Sequence, residues 1–585
     1  MMNAPMTHGS STSSNPTSPT TPLRFDAPGP GSWVLDAAHC ERPVPCFMEG
    51  IFEASFGRGL RDGLEQYGAL LETIEGRTVN GYVYTAARPY GAPPDAGAPP
   101  KIIVQLLTRL HPGMRARVRK SATVFEQKPW REDVRRYDRE WTPPLLARHA
   151  EHRKHDLRAL DDDALLDELE ARYALCMEAY FLHHRMNCSR MVPVGDFLVH
   201  LGDWLPELPR REGLEALRGS SPDSVSALDG AERLARLVHE DPELHAGLEN
   251  CLDPKSFIDA LEAREDAIGE AARAWLAEIG HRVTGFSLGY PTLRELPSSL
   301  VESLRGAGKA RPDDPHNAAD AKAAELRERL PAELRPEFDV LLAEARSVAH
   351  IRDHSCLWML ELFGTLREAL FEVGRRLVER GRILEAEHAL DLRETEVRPT
   401  FAGGGPPAEA LAARTRHRLR SVVDEAPPHL GPAPQPPPPA EWLPAKARRL
   451  ARALDVYVQG MFGEQPDPPP KSASSQSAEL CIRGRSASAG RRRGRARLVL
   501  GLEDFERVRE GDVLIARMTT PAYNVLLPLL AGIVTDRGGI LSHPAIVSRE
   551  YGIPGVVGTR VATRDIPDGA EVEIDGDAGE VRVLS

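Results

Sequence analysis

A run of prolines most constrains how this chain folds. Pro427, Pro428, Pro432, Pro434 and Pro436 to Pro439 fall inside eighteen residues ending at Pro444. Proline lacks the N–H that a helix interior needs, so no helix passes through, and extended polyproline geometry is expected. A second break, rich in Pro and Ser, covers 466–477, and Ala445 to Met461 between them reads as one short helix. The two breaks isolate the last hundred or so residues, and the character of the chain changes across them.

Before the breaks the pattern is helical. Leu165, Leu166, Leu169, Tyr173, Met177 and Tyr180 recur at three- and four-residue spacing, which puts them on one helix face. Ser226 to Val238, with Ser226 as an N-cap, and the stretches 321–349 and 358–377 follow the same period. Helices this polar on one side imply a bundle or a layered helical domain. After the breaks, β-branched runs and tight glycine turns take over at Arg497 to Leu500, Asp512 to Ala516, Gly532 to Thr535, Glu571 to Ile574 and Glu580 to Leu584. That is the signature of a compact α/β module. The expected divisions are a disordered Ser/Thr/Pro-rich tail at 1–24, a mixed segment at 25–110, a helical region at 111–425, a Pro-rich linker with a short helix at 426–478, and the final module at 479–585.

Composition excludes several classes. Lys plus Arg is 74 against 86 Asp plus Glu, a net charge of −12, so nonspecific nucleic-acid binding is not expected. The longest apolar run, near Val525 to Val534, is interrupted by Pro528 and is too short to span a bilayer. The first 24 residues carry no secretory signal. Seven scattered cysteines without a CxxC spacing suit a reducing, cytoplasmic compartment and offer no zinc site. His183, His184 and His200 lack carboxylates at ligand spacing, so no metal is assigned. Arg483, Arg485, Arg491 to Arg493, Arg495 and Arg497, with no acid between Cys481 and Leu500, read as a basic surface hairpin.

The chemistry sits in Thr535-Asp536-Arg537-Gly538-Gly539-Ile540-Leu541-Ser542-His543-Pro544-Ala545-Ile546. A strand ends in a Gly-Gly turn, and a short helix opens with Pro544, so His543 stands at a helix N-terminus. Free N–H groups there favour an anion, and Gly538 and Gly539 let backbone approach a phosphate. Thr535 and Ser542 offer hydroxyls, and Arg549 would have to reach back to join them. A neutral imidazole in these surroundings is a nucleophile near pH 7.

Continued through Arg549-Glu550-Tyr551-Gly552-Ile553-Pro554 to Gly558, the stretch closely resembles the phosphohistidine signature of the phosphoenolpyruvate-utilizing enzymes. Thr519-Thr520-Pro521 and Asp575-Gly576 resemble its flanks, and Pro544 departs from the small residue expected there. The resemblance implies a mainly helical central region followed by a C-terminal β/β/α swivelling domain that carries phosphoryl on His543, held by Thr535, Gly538, Gly539, Ser542 and Arg549. Gly280-His281-Arg282 and Arg352-Asp353-His354 resemble the acceptor-binding region of rifampin phosphotransferase-like members, and Trp33, Asp36, His39 and Arg42-Pro43 fit its start. His281, Arg282, Arg352, Asp353 and His354 are thereby implied as acceptor contacts, although the acidic residue expected near 286–288 is missing.

No glycine-rich phosphate loop is read before the helical region, and a barrel after the histidine module is not expected. The expectation is a split phosphotransferase. An ATP-grasp partner using ATP and Mg²⁺ loads His543, and a small-molecule hydroxyl accepts the phosphoryl group, with neither membrane nor nucleic acid involved. The alternative is a binding, regulatory or scaffold protein that keeps the fold without turnover.

Overall fold

The computed structural model describes residues 23–95, 99–220, 223–307, 315–463 and 480–584. The expected disordered tail, but for its last two residues, and the Pro/Ser break at 466–477 lie outside these residues.

The N-terminal segment builds an antiparallel sheet ordered β2-β3-β1-β4, from β1 (Trp33–Leu35), β2 (Leu71–Val79), β3 (Tyr82–Pro89) and β4 (His429–Leu430). Asn80 and Gly81 join β2 to β3, both at positive φ (53° and 78°), the pair a tight hairpin turn demands. The fourth strand comes from the proline-rich segment. Val34 pairs with His429, Leu35 N–H donates to Pro428 O (3.0 Å), and Leu430 packs against Trp33, Tyr82 and Tyr84. One end of the expected linker is therefore built into the N-terminal sheet.

The centre is helical, organised on one helix of 45 residues, Arg335–Glu379, roughly 68 Å long at 1.5 Å per residue. Sequence periodicity suggested helices over 321–349 and 358–377. The structure instead places the break near Pro331 and Pro336, with Pro336 in the first turn, and runs unbroken through Arg352-Asp353-His354. Helices Asp162–Arg185 and Asn187–Trp204 pack along it. Helix Ala445–Phe462 crosses Asn187–Trp204 so closely that a Cβ on Gly195 would stand 2.0 Å from Ala453 O. The helix expected over 226–238 spans Asp223–Glu240, so Ser226 lies within it rather than capping it.

The C-terminal unit is an eight-stranded sheet ordered β5-β12-β11-β7-β8-β9-β10-β6. Its strands are β5 (Cys481–Arg483), β6 (Arg485–Ser488), β7 (Arg491–Val499), β8 (Asp512–Ala516), β9 (Leu530–Thr535), β10 (Gly555–Val557), β11 (Glu571–Asp575) and β12 (Glu580–Val583). Strands β7 to β10 run parallel. Helix His543–Glu550 makes the crossover from β9 to β10, as parallel pairing requires. The arginine run falls on β5 to β7, and its acids come from other parts of the sheet: Arg483 pairs with Glu580, Arg491 with Asp575, Arg493 with Glu573 and Arg497 with Asp512. An apolar core is shared between this unit and the helices. Leu300, Leu304 and Trp275 are buried together with Phe505, Leu526 and Ile533.

Candidate functional site

His543 owes its place to strand topology. Strand β8 ends at Ala516 and leads to Thr519, and its parallel neighbour β9 ends at Thr535 and leads to His543. Both loops leave the same sheet edge, the carboxyl ends where α/β sheets collect ligands. Thr519 Oγ1 lies 2.8 Å from His543 Nδ1, and His543 Nε2 lies 3.1 Å from Asn524 Oδ1. An amide oxygen only accepts, so Nε2 carries the ring proton and Nδ1 takes the threonine hydroxyl hydrogen. His543 is the first residue of its helix, with Ser542 as N-cap and Pro544 in the first turn. The ring is half-buried. Burial pushes its pKa down to about 3, with Asp353 pulling it up and Arg352 pushing it down, so the imidazole is neutral at pH 7.

The residues expected around a phosphate shape the loop. Thr535 Oγ1 donates to Arg537 O (2.8 Å) and Ser542 Oγ to Gly539 O (2.7 Å). Gly538 sits at φ 99°, where a side chain would be strained. Gly539 N–H donates to Met461 O (2.9 Å) and Leu541 N–H to Gly460 O (2.7 Å), which fastens the loop to the end of helix Ala445–Phe462. Arg549 points elsewhere. Its Nη1 donates to Ala487 O on β6 (2.8 Å), and burial lowers its pKa to about 10 against the pull of Glu215 and Glu550. Asp536 anchors the loop's start, accepting from Thr559 (2.9 Å) and Thr563.

The acceptor candidates divide. Arg352 Nη1 donates to Leu541 O (2.6 Å), and Arg352 and Asp353 both act electrostatically on His543, so the structure brings this pair to the His543 loop. His354 turns away, its Nδ1 3.0 Å from Tyr137 Oη. The His281 carbonyl lies against Gly364, twelve residues further along the long helix, or about 18 Å from Arg352. Burial lowers the His281 pKa to about 4, and Arg282 is paired with Glu361 at 3.2 Å.

A cavity of about 430 Å³ opens beside the loop of Thr519 and Thr520. His39, Phe286, Tyr290, Arg367, Thr520 and Tyr523 are among its walls, drawn from the N-terminal segment, the helical centre and the C-terminal unit. Sequence reasoning missed Asn524 and this cavity. Asn524 stands only four residues past the Thr519-Thr520 pair, so the flank that carried the resemblance could have pointed to it.

Of the histidines weighed as metal ligands, His183 bonds Ser355 Oγ (2.8 Å) and His200 the Asp196 carbonyl (2.8 Å). His152, His155 and Glu168 do cluster at ligand spacing, but Glu168 also binds Arg172 at 2.7 Å, and that cation opposes a metal ion. The seven cysteines are all free thiols. Among the described residues, no helix is long and apolar enough to cross a membrane.

Comparison with known proteins agrees with the motif. Residues 508–579 match the mobile domain of PEP-utilising enzymes, and residues 196–353 match the fourth domain of rifampicin phosphotransferase. A rifampicin phosphotransferase from Streptomyces sp is 29% identical over 476 residues, covering 76% of this chain and 50% of that protein. Chondramide synthase cmdD from Chondromyces crocatus is 27% identical over 597 residues, 97% of this chain and 14% of its own length. The uncharacterized phosphotransferase YvkC of Bacillus subtilis is 43% identical over 110 residues, 19% of this chain and 13% of its own. The chain thus spans half the length of the first of these relatives and far less of the other two.

Proposed function

We propose that this chain, which carries a PEP-utilising mobile domain behind a helical region like that of rifampicin phosphotransferase, is a phosphotransferase component. In this reading His543 carries a phosphoryl group from an ATP-grasp partner to a small-molecule hydroxyl bound beside the helical region. One observation carries the reading: within the matched domain, a neutral imidazole heads a helix at the carboxyl edge of a parallel sheet. ATP and Mg²⁺ belong to the partner, and none of this chain's residues is assigned to them. A cycle of this kind belongs in the cytoplasm, the compartment its free thiols also suit.

The two half-reactions balance. An imidazole nitrogen of His543 attacks phosphorus and the bond to the nucleotide oxygen breaks. The acceptor oxygen then attacks the same phosphorus, the N–P bond breaks, and the hydroxyl proton leaves to a base. Such transfer depends on positioning and charge neutralisation. Thr519 and Asn524 fix the ring, and the charges of Arg352 and Asp353 act on it. The cavity of about 430 Å³ is a suitable place for the acceptor.

The test is acid-labile phosphate and intact mass after incubation with ATP, Mg²⁺ and candidate ATP-grasp proteins, beside His543→Ala. One added phosphoryl group, absent from the variant, is the expected result. A specific observation favours a second reading, a binding protein on an inherited fold: both ring nitrogens of His543 are already hydrogen-bonded within its own unit. An unchanged mass with every donor, phosphoenolpyruvate included, would select it.

A further inference from the structure

Two buried side chains of the helical centre carry hydrogen-bond donors with no partner among the described residues. Arg190, in the first turn of helix Asn187–Trp204, is only 7% exposed. Its Nη2 donates to Asn187 Oδ1, while Nε and Nη1 find no partner among the described residues. The Asn187 amide fixes the next link. With Oδ1 turned to a guanidinium that can only donate, Nδ2 faces His184 Nδ1 at 3.3 Å and donates to it. Burial and Arg190 keep His184 neutral, so its single ring proton is on Nε2, and that buried atom is also unpartnered. Three buried donor nitrogens, on two side chains linked through Asn187, thus have no partner among the described residues.

Burying a charged group without a partner is strongly unfavourable, and such groups in folded proteins need an explanation. The nearby carboxylate of Asp36 does not supply one. Its donors among the described residues are the His39 ring at 3.0 Å and the N–H groups of Ala38 and His39 at 3.2 Å, and Arg190 is not among them. The surroundings connect to the phosphohistidine loop. Arg190 and Arg352 both act on His39, His183 and Cys356, and Arg352 in turn holds Leu541 O, two residues before His543.

We propose that Arg190, with His184 Nε2, forms an oxyanion site for a phosphoryl group, either as inorganic phosphate or as the phosphate monoester of a transfer product. An acceptor-only tetrahedral dianion complements a donor-only cluster, and charge-assisted bonds to guanidinium are the strong kind. The proposal leans on the carrier reading only for where the phosphoryl group comes from; binding itself does not need His543.

The test is calorimetric titration of the full chain with inorganic phosphate, beside Arg190→Gln, Arg190→Met and His543→Ala. Saturable one-site binding is expected for the parent and for His543→Ala, at least about tenfold weaker in Arg190→Gln. In phosphate-free buffer Arg190→Met is expected to melt no lower than the parent, because it removes an unpaired buried charge. Should Arg190→Gln not fold, Arg190→Lys keeps the charge, loses the fork and is expected to bind more weakly. Absence of saturable binding by the parent at millimolar phosphate, equal binding by Arg190→Gln or Arg190→Lys, or a clearly lower melting point for Arg190→Met each overturns the proposal. Phosphate binding can fail while His543 still becomes phosphorylated, so the two readings fail separately.

Discussion

Gly539→Ala tests whether helix Ala445–Phe462 clamps the His543 loop. A Cβ on Gly539 would lie 2.3 Å from Gly460 O and 2.9 Å from both Gly460 C and Gly463 N. Ordinary contact needs about 1 Å more than the first of these, and all three obstacles are backbone, which cannot rotate aside. The loop has to lift. Lifting breaks the bonds from Gly539 N–H to Met461 O and from Leu541 N–H to Gly460 O. Two such bonds at about 1 kcal/mol each, with about 1 kcal/mol of residual overpacking, give about 3 kcal/mol. That is more than a hundredfold in the docking equilibrium. Amide hydrogen exchange at 539 and 541 reads it directly, and both sites are expected to exchange faster by about that factor. Gly202→Ala is the opposed control. It lies in a helix with nothing within 4 Å of its Cβ, so it is expected to stabilise by roughly 0.5–1 kcal/mol. Exchange at 539 and 541 changing less than about threefold would mean that the clamp carries no energy, and the reasoning from contact distance would be refuted.

Three further outcomes follow from the charges. The folded chain holds His543 at about 3 against an ordinary 6.5, so the unfolded chain binds the extra proton between those values. This contribution is complete above pH 6.5 and falls by about 2 kcal/mol on going to pH 5. Denaturant unfolding of His543→Gln is expected to lack that increment, and an identical pH dependence would sink the assignment. Lys128, Trp130 and Arg131 hold Glu344 near pKa 2 against burial, so its contribution is present above about 4.5 and is lost as pH falls toward 2. Glu344→Gln leaves two cations short of their partner and is expected to cost about 2–4 kcal/mol at pH 7, with thermal melting as the check. Asp536→Ala removes the acceptor of Thr559 and Thr563 at the start of the loop. A loss of about 2 kcal/mol is expected, together with slower labelling of His543 by phosphoramidate; unchanged labelling would show that the loop holds its shape without it.

The sequence by itself determined what depends on local period and local backbone chemistry. Helix Ala445–Phe462 was legible between its proline breaks because proline ends a helix wherever the rest of the chain goes. Strand β8 was read at its observed bounds because a β-branched run beside Gly511 needs no distant information. The Gly-Gly turn, Ser542 and Pro544 fixed His543 at a helix start for the same reason.

Only the tertiary structure decided which distant segments meet. Strand β4 joins β1 across almost four hundred residues, although nothing near His429 signals a partner. Arg352 and Asp353 act on His543 through their charges while His354 turns to Tyr137 and His281 lies twelve helix residues away, since a helix sends successive residues to different faces. Arg549 bonds to β6 and not to the His543 loop, because a long side chain takes the acceptor that packing offers it. The orphaned nitrogens of Arg190 carried no sequence signal either. Burial and the partner set are properties of the folded surroundings, and those are fixed only when the helices and the sheet close on one another.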